Sequence, residues 1–440
     1  MANKKLPKLG FLYLDYVLRF FDHSNFRGWP DRIETVTYHW KNDKQRFIDE
    51  VKRKKIDVLI GNIPATAYET FKEIAAALPH VRFIPSIETQ FPNKSKENVT
   101  LFCEKYDLDH PKTEIFYDIE KGYEYLKTCK YPKIVKRSYG PSNYGGYYVH
   151  KVDSYQEAKE LFDRKKYVPM YIQDAIDLKD SGDIRVMLIG HKPVCAFWRY
   201  SGDGQWITNT SQGGSMSYDN VPMNALELAV KASKAAKAEY WACDIAIDKK
   251  TGKAYILECA TAFAAFPYIR DWICQYIMWD LSDGRFRMPH VPLYSWEELG
   301  KMSPEMLRTL RHIYFSKYTP STDGAYWIED KGPFEMEAAG ESRPEDVPDP
   351  IEPPKTEEEL PQDLKESFDA DTHDDIPQEE RFDLSTVTLT QLLTLQSMEE
   401  EMAEKIKQLV DEGKIVRFEE LEAYDFIPKE HLAMWSKAFA

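Results

Sequence analysis

Apolar residues in the first part of the chain fall into short runs that alternate with amphipathic stretches. LGFLYLDYV (Leu9 to Val17), IDVLIG (Ile56 to Gly61) and the VRFIPS that ends at Ser86 read as strands. Between them, KQRFIDEVKRKK and AYETFKEIAAAL read as helices. Strands alternating with helices pack as a parallel sheet, so the pattern predicts a small parallel α/β domain that closes near Pro85 and is bounded at residue 88.

From Pro92 the pattern changes. PNKSKENVTLFCEKYDLDHPKT predicts an amphipathic helix with Lys96 in its first turn, running into an X-Pro turn at Pro111. YPKIVKRSYGPSNYGGYYV predicts a strand ending at Lys136, a loop with Gly140, Gly145 and Gly146, and a resumed β run. YIQDAI (Tyr171 to Ile176) is a further strand, and DIRVMLIGHKPVCAFWRY (Asp183 to Tyr200) is a strand pair around Gly190-His191. A polar loop with Asn209 follows, then a helix over NALELAVKASKAAKA (Asn224 to Ala238). This half is antiparallel in character.

WACDIAIDKKTGKAYILECATA (Trp241 to Ala262) predicts a β-hairpin turning on DKKTG. If Asp248 pairs with Ala254, the period of two sets Asp244 opposite Glu258 on one face and Cys243 opposite Cys259 on the other. Facing carboxylates repel, a divalent cation between them reverses that term, and Mg²⁺ is commonly held by one or two carboxylates plus substrate phosphates. A solvated hairpin, or a register one residue off, accounts for the same residues without a metal. The six cysteines show no metal-ligand spacing and read as buried free thiols.

Charge narrows the field. The net charge is −15, and Glu329 to Asp383 alone carries 21 acidic against five basic residues, which accounts for the whole excess. The remainder is near neutral, so no general nucleic-acid-binding surface is expected. The longest apolar segment, Ala262 to Trp279, is interrupted by Pro267, Arg270 and Asp271 and does not read as a membrane span. No secretion signal is read in the first residues, and a cytoplasmic protein is expected. The acidic segment has the composition of a disordered linker. PYIRDWICQYIMWDL (Pro267 to Leu281) predicts a closing helix, and LYSWEELGKMSPEMLRTLRHIYFSKY a helical extension with Ser295 as candidate N-cap. LTQLLTLQSMEEEMAEKIKQLVDEGK predicts an amphipathic helix through Leu392, Leu395, Met398, Met402, Ile406 and Leu409, ending near Gly413. It suits a helical pair with Phe418 to Trp435, or contact with a second copy or a protein partner.

A lysine on an entering strand followed by a glycine-rich loop can lay charge and backbone N–H groups against phosphates. GxxxxGK[ST] is absent, so this is not a P-loop. Lys96 with Pro111 comes first in chain order, then Lys136, Gly140 and Gly145, then Gln173, Asp174 and Ile176 with Asp183-Ile184-Arg185. Arg199 with Asn209, Gly213 and Gly214 follows, and Asp244 with Glu258 closes the series. This order and spacing resembles the ATP-grasp family, in its RimK-like glutamate-ligase and glutathione-synthetase branch, over about Ile87 to Ala262. The resemblance implies ATP held between two small sheets, with adenine near the backbone of Asp174 and Ala175 beside Gln173, and ribose near Asp183. Lys96, Lys136, Gly140 and Gly145 would meet the phosphates, and Asp244 and Glu258 would hold Mg²⁺, with Mn²⁺ as an alternative. Arg185, Arg199 and Asn209 are the catalytic candidates.

The sequence also departs from the family pattern. Ala260 stands where the family's asparagine ligand belongs, leaving water, or Thr261 on a bulged strand, to replace its oxygen. Ile207 and Gln212 stand where arginines are usual, so a glutamate-like substrate is not carried over.

The expected architecture is α/β (α+β), an ATP-grasp fold. An N-terminal parallel α/β domain (1–88) precedes two small ATP-clamping α+β subdomains, one central (89–168) and one C-terminal with the metal site (169–285). A helical extension (286–328), the acidic linker (329–383) and a helical C-terminal segment (384–440) follow. The leading function is an ATP-dependent ligase that joins a small-molecule or peptide carboxylate to an amine through an acyl phosphate. A small-molecule kinase on the same fold would need no amine site. An ATP-binding regulatory or structural protein with weakened catalysis would account for Ala260, Ile207 and Gln212.

Overall fold

A computed structural model of the chain describes residues 5–14, 20–39, 43–138, 148–201, 215–263, 266–303, 305–307, 309 and 332–349. Toward the C-terminus it describes 384, 387, 392, 400–415, 417–424, 426–427, 432 and 435. The chain divides into two compact units, Met1–Glu359 and Leu360–Ala440.

The first unit opens with a parallel sheet of β1 (Leu9–Leu14), β2 (Glu34–Tyr38), β3 (Val58–Ile60) and β4 (Arg82–Ile84), in the order β2-β1-β3-β4. α1 (Lys44–Lys54) and α2 (Tyr68–Ala77) bury Phe47, Val51, Phe71 and Ile74 with Leu12, Val36 and Leu59. The apolar pattern anticipates all of these except β2. In β2, Val36 and Tyr38 are buried and alternate with Thr35 and Thr37, the signature of a half-buried edge strand rather than of a continuous apolar run.

α3 (Lys96–Lys105) begins where Ser95 Oγ accepts from the Asn98 backbone N–H at 2.9 Å, so Lys96 is its first residue. β5 (Thr113–Phe116), β6 (Lys133–Lys136), β7 (Val149–Val152) and β8 (Met170–Asp174) form an antiparallel sheet in the order β5-β8-β6-β7. α4 (Ile119–Thr128) and α5 (Tyr155–Lys165), capped by Asp118 and Ser154, pack Leu126, Leu161 and Phe162 on Val135, Val152 and Ile172. Alternation along the strands turns Ile134, Lys136, Tyr171 and Gln173 to the other face.

A second antiparallel sheet contains β9 (Leu178–Ile189), β10 (Lys192–Tyr200), β11 (Met216–Ser217), β12 (Tyr240–Asp248) and β13 (Ala254–Ala260), in the order β11-β10-β9-β12-β13. The turn between β9 and β10 places both Gly190 and His191 at positive φ, as a two-residue turn of type I′ requires. α6 (Met223–Ala235) and α7 (Pro267–Leu281) share a core with this sheet that includes Leu226, Ala229, Ile273 and Ile277 with Ile184, Val186 and Leu188. No helix among the described residues is long and apolar enough to cross a membrane.

The β12–β13 hairpin differs from its sequence reading in register. Ile247, not Asp248, pairs with Ala254, one residue off the expected alignment, and the ladder then shifts between Ile245↔Ile256 and Asp244↔Glu258. Leu257 is the extra residue. This β-bulge restores the alignment, so Asp244 faces Glu258 and Cys243 faces Cys259, their sulfurs 3.8 Å apart.

α8 (Ser295–Leu299) starts from Tyr294, at φ +64, with Ser295 already inside the helix. Ser295 is therefore not the N-cap, and its Oγ has no hydrogen-bond partner among the described residues. Within the acidic stretch, residues 332–349 are held against the rest of the first unit. The Glu337 N–H donates to the Gly190 carbonyl at 3.0 Å, and Tyr276 OH donates to the Glu337 carbonyl at 2.8 Å. Ser342 Oγ lies 2.7 Å from Ser86 Oγ and 3.0 Å from Thr89 Oγ1. Asp346 accepts from Lys237 Nζ at 3.0 Å, and its carbonyl accepts from Tyr106 OH at 3.1 Å. Composition alone reads this strap as unstructured, but fixed hydroxyl and ammonium partners hold it. Gly190 serves it too, because a Cβ there would come within 2.7 Å of the Glu337 carbonyl.

In the second unit, α9 (Glu400–Asp411) buries Ala403, Ile406 and Val410 with Leu392, Leu421, Ile427 and Trp435. Gly413, at φ +67, follows its end as expected. Leu395 and Met398 lie outside the described residues.

Candidate active site

Five charged side chains form a row across four strands of the second antiparallel sheet. Arg199 on β10 stands opposite Asp183 on β9. Two residues along, on the same side of β9, Arg185 stands opposite Asp244 on β12, which faces Glu258 on β13. Arg185 donates through Nε and Nη2 to the two oxygens of Asp244, each at 2.8 Å. Arg199 donates through Nε to Asp183 Oδ1 at 2.9 Å and through Nη2 to Asp183 Oδ2, and the same Nη2 lies 2.9 Å from Asp244 Oδ2. Glu258 is paired with Lys96 at the start of α3.

This arrangement sets the protonation of the row. Burial acts to raise the Asp244 carboxyl, but Arg185 and Arg199 outweigh it and hold the group far below the usual carboxylate range. Burial likewise acts to raise Glu258, and the Lys96 ammonium overcomes both that and repulsion from Asp244. Both carboxylates are therefore charged at neutral pH.

A neutral polar chain stands behind Lys136. Its Nζ donates to Gln173 Oε1 at 2.8 Å, and Gln173 Nε2 donates to Thr113 Oγ1 at 2.9 Å and to Tyr171 OH at 3.2 Å. Tyr171 OH in turn lies 2.9 Å from Thr100 Oγ1 on α3. Burial, reinforced by Lys96 and opposed by Glu258, pushes the Lys136 amine down to about 7. Asp174 lies on the opposite face of β8, paired with Lys133, while its backbone N–H donates to the Lys112 carbonyl at 2.8 Å. Ala175 is half-buried just beyond β8.

The structure thus brings Lys96, Asp183, Arg185, Arg199, Asp244 and Glu258 into one linked network, with Lys136 near enough to influence Glu258 and Gln173 bonded to it. Gly140, Gly145, Asn209, Gly213 and Gly214 lie outside the described residues, as do Ile207 and Gln212. Tyr171, Thr113 and Thr100 were not singled out in the sequence. Tyr171 could have been, since it shares a face with Gln173 two residues away, and Thr100 lies one helical turn beyond Lys96.

Two facing carboxylates, Asp244 buried and Glu258 half-exposed, are of a type that suits a divalent cation, so the residues fit the ion the family implies. Ala260 offers no oxygen. The bulge at Leu257 precedes Glu258, and β13 is regular from Glu258 to Ala260, so it does not carry Thr261 to the carboxylate side. The Thr261 hydroxyl is buried without a hydrogen-bond partner among the described residues. Both Asp244 and Glu258 already hold protein cations.

The chain is thus mixed α/β, with a parallel N-terminal sheet and two antiparallel sheets that contribute lysines and a charged row. Residues 93–263 match the family model described as the RimK-like ATP-grasp domain, and this part of the chain is an ATP-grasp domain of that type. Similar solved structures include a D-alanine–D-alanine ligase from Bacillus anthracis complexed with ATP, at 12% identity, covering 70% of this chain and 99% of that one, with a TM-score of 0.41. An ATP-grasp RimK domain protein from Sphaerobacter thermophilus is 12% identical, over 62% of this chain and 98% of that one, with a TM-score of 0.42. The ADP complex of purK, an N5-carboxyaminoimidazole ribonucleotide synthetase, is 14% identical over 63% and 78%, with a TM-score of 0.46. No curated protein matches the chain.

Proposed function

We propose that the chain is an ATP-dependent carboxylate–amine ligase. The observation that carries this reading is the convergence of Lys96 and Lys136 on Glu258, which faces Asp244, within a RimK-like ATP-grasp domain. ATP lies with its adenine near the backbone of Asp174 and Ala175, its ribose toward Asp183, and its phosphates toward Lys96, Lys136, Gly140 and Gly145. A substrate carboxylate oxygen attacks the γ-phosphorus and ADP leaves. An amine then attacks the carbonyl carbon of the acyl phosphate, phosphate leaves, and the proton of the amine passes to solvent. The lysines offset charge on the transferring phosphoryl group, and Arg185, Arg199 and Asn209 are the candidates to orient the acyl oxygens. Asp244 and Glu258 would hold Mg²⁺ or Mn²⁺, which supplies further positive charge to the phosphates. The substrates are small-molecule or peptide carboxylates and amines, and the setting is cytoplasmic.

A second reading, an ATP-binding protein with weak turnover, draws on Ala260 and on the protein cations already held by both carboxylates. The deciding experiment measures ADP and phosphate release against an array of carboxylate and amine pairs, with mass spectrometry of the products. An amide product supports the ligase. A phosphorylated carboxylate or alcohol that persists points to a kinase, and tight ATP binding without product points to the second reading.

A further inference from the structure

We propose that Arg185, Arg199 and Lys96 are built-in counter-ions that keep Asp244 and Glu258 closed to a divalent cation until a nucleotide arrives. The inference rests on the reading of this face as the nucleotide site, and it assigns the two arginines a role toward Asp244 in addition to the one toward the acyl oxygens.

Charge and geometry argue for it together. Asp183, Asp244 and Glu258 contribute three negative charges, and Arg185, Arg199 and Lys96 contribute three positive ones, in two adjoining sets of ion pairs: the arginines with Asp183 and Asp244, and Lys96 with Glu258, which faces Asp244 across the hairpin. Each Asp244 oxygen already accepts from a guanidinium at 2.8 Å, and Oδ2 has a second at 2.9 Å. A divalent ion entering the nucleotide-free protein would have to displace a guanidinium or add two positive charges to a charge-balanced row that is buried at Asp183 and Asp244. The first leaves an uncompensated buried charge, and the second is repelled through a medium far less screening than water. Position 260 supplies no further oxygen to offset either.

A nucleotide changes the balance because its phosphates are anionic. Lys96 holds Glu258 from the first residue of a helix, by a flexible side chain, whereas Arg185 holds Asp244 by two bonds from the neighbouring strand. Phosphates draw Lys96 away and release Glu258 to the ion. Asp244 stays oriented by its arginines. The metal therefore enters with the nucleotide or after it, and not before.

The test is Mn²⁺ binding to the full-length protein, followed by the loss of the free-Mn²⁺ electron paramagnetic resonance signal. Wild type without nucleotide should remove no free-Mn²⁺ signal, and wild type with a non-hydrolysable ATP analogue should remove more than the analogue alone. Arg185→Gln should bind Mn²⁺ without nucleotide, about tenfold or more tighter than wild type, because one of the opposing charges is gone. The double variant Arg185→Gln/Asp244→Asn should lose that gain, as a merely structural role for Arg185 would not predict. Arg199→Gln provides a second release if Arg185→Gln does not fold. Nucleotide-independent Mn²⁺ binding in wild type, or no gain in a folded arginine variant, overturns the proposal. Calorimetry with the ATP analogue in metal-free buffer is a separate arm. Absence of nucleotide binding there overturns the nucleotide reading, while the Mn²⁺-only arms still decide the role of the arginines.

Discussion

Asp244 and Glu258 face each other because β13 carries one more residue than β12 between the hairpin turn and the pair. Leu257 is that residue, and burial records the same shift, since Ala254, Ile256 and Cys259 are the buried positions of β13. Deleting Leu257 should leave a regular ladder with Asp244 and Glu258 still opposed. A double-mutant cycle on stability with Lys96→Ala and Glu258→Gln, run in the deleted and parent backgrounds, should give couplings equal within about 0.5 kcal/mol. Loss of the coupling would show that the kink itself aims Glu258.

Lys136 gives a pH prediction. Its amine is pushed down to about 7 in the fold from an ordinary value of 10.5. The unfolded chain binds the extra proton between those values, so burying Lys136 opposes folding fully below pH 7, and the penalty fades as pH rises toward 10.5. Lys136→Met should raise stability at pH 6.5 by about 2–4 kcal/mol, with the gain vanishing near the unfolded value. Urea denaturation across pH reads this directly. Phosphate beside the amine would restore its proton, so ATP binding at about pH 8.5 should take up close to one proton in wild type and far less in Lys136→Met. Calorimetry in buffers of different ionisation enthalpy measures that uptake.

Arg199 links Asp183 to Asp244. Arg199→Ala should destabilise the protein by about 3–5 kcal/mol, because it strips a buried carboxylate of its paired guanidinium. Adding Asp183→Asn should recover part of the loss by removing the uncompensated charge. Strict additivity in urea titrations would show that the two residues do not act as a pair.

The strap over residues 332–349 should contribute measurable stability to the first unit. A chain ending after Glu359 keeps it, and one ending after Lys331 removes the bonds to Gly190, Tyr276, Ser86, Thr89 and Lys237. At roughly 1 kcal/mol net for each of these five bonds, the shorter chain should lose about 5 kcal/mol in urea. Equal midpoints and slopes for the two would show that the contacts are incidental.

Ala260→Asn should add an oxygen on the Glu258 side of β13. With nucleotide present, Mn²⁺ should bind about tenfold tighter than to wild type, since a fixed ligand replaces water. An unchanged Mn²⁺ titration would place position 260 away from the ion.

Much of the site was legible because its residues obey strand periodicity. The opposed Asp244 and Glu258 follow from a period of two and Lys136 from a strand that ends at a glycine-rich loop, whereas Asp183 and Arg185 were singled out by the resemblance to the ATP-grasp family. The hairpin reading reached the correct pairing by two errors that cancelled: an alignment one residue off at the turn and an unseen bulge at Leu257. The partners of these residues were less legible. That Asp244 is gripped by Arg185 and Arg199 depends on which strands are neighbours in β10-β9-β12, and strand order is not written in local patterning. The strap was misread for a related reason. Its composition describes how little apolar surface it can bury, and not the lysines and hydroxyls that Ser342 and Asp346 meet.

The strap also has a consequence for the birth of the protein. Ser342 meets Ser86 and Thr89 across separations of 256 and 253 residues. A ribosome adding about 5–20 residues per second leaves the N-terminal sheet waiting on the order of tens of seconds for this fastening. Both small sheets and the charged row emerge within that interval, so the nascent chain meets its chaperones and proteases with the domain assembled but unfastened. Codon choice or pausing between β4 and the strap would lengthen that exposure without altering a single residue of the finished molecule.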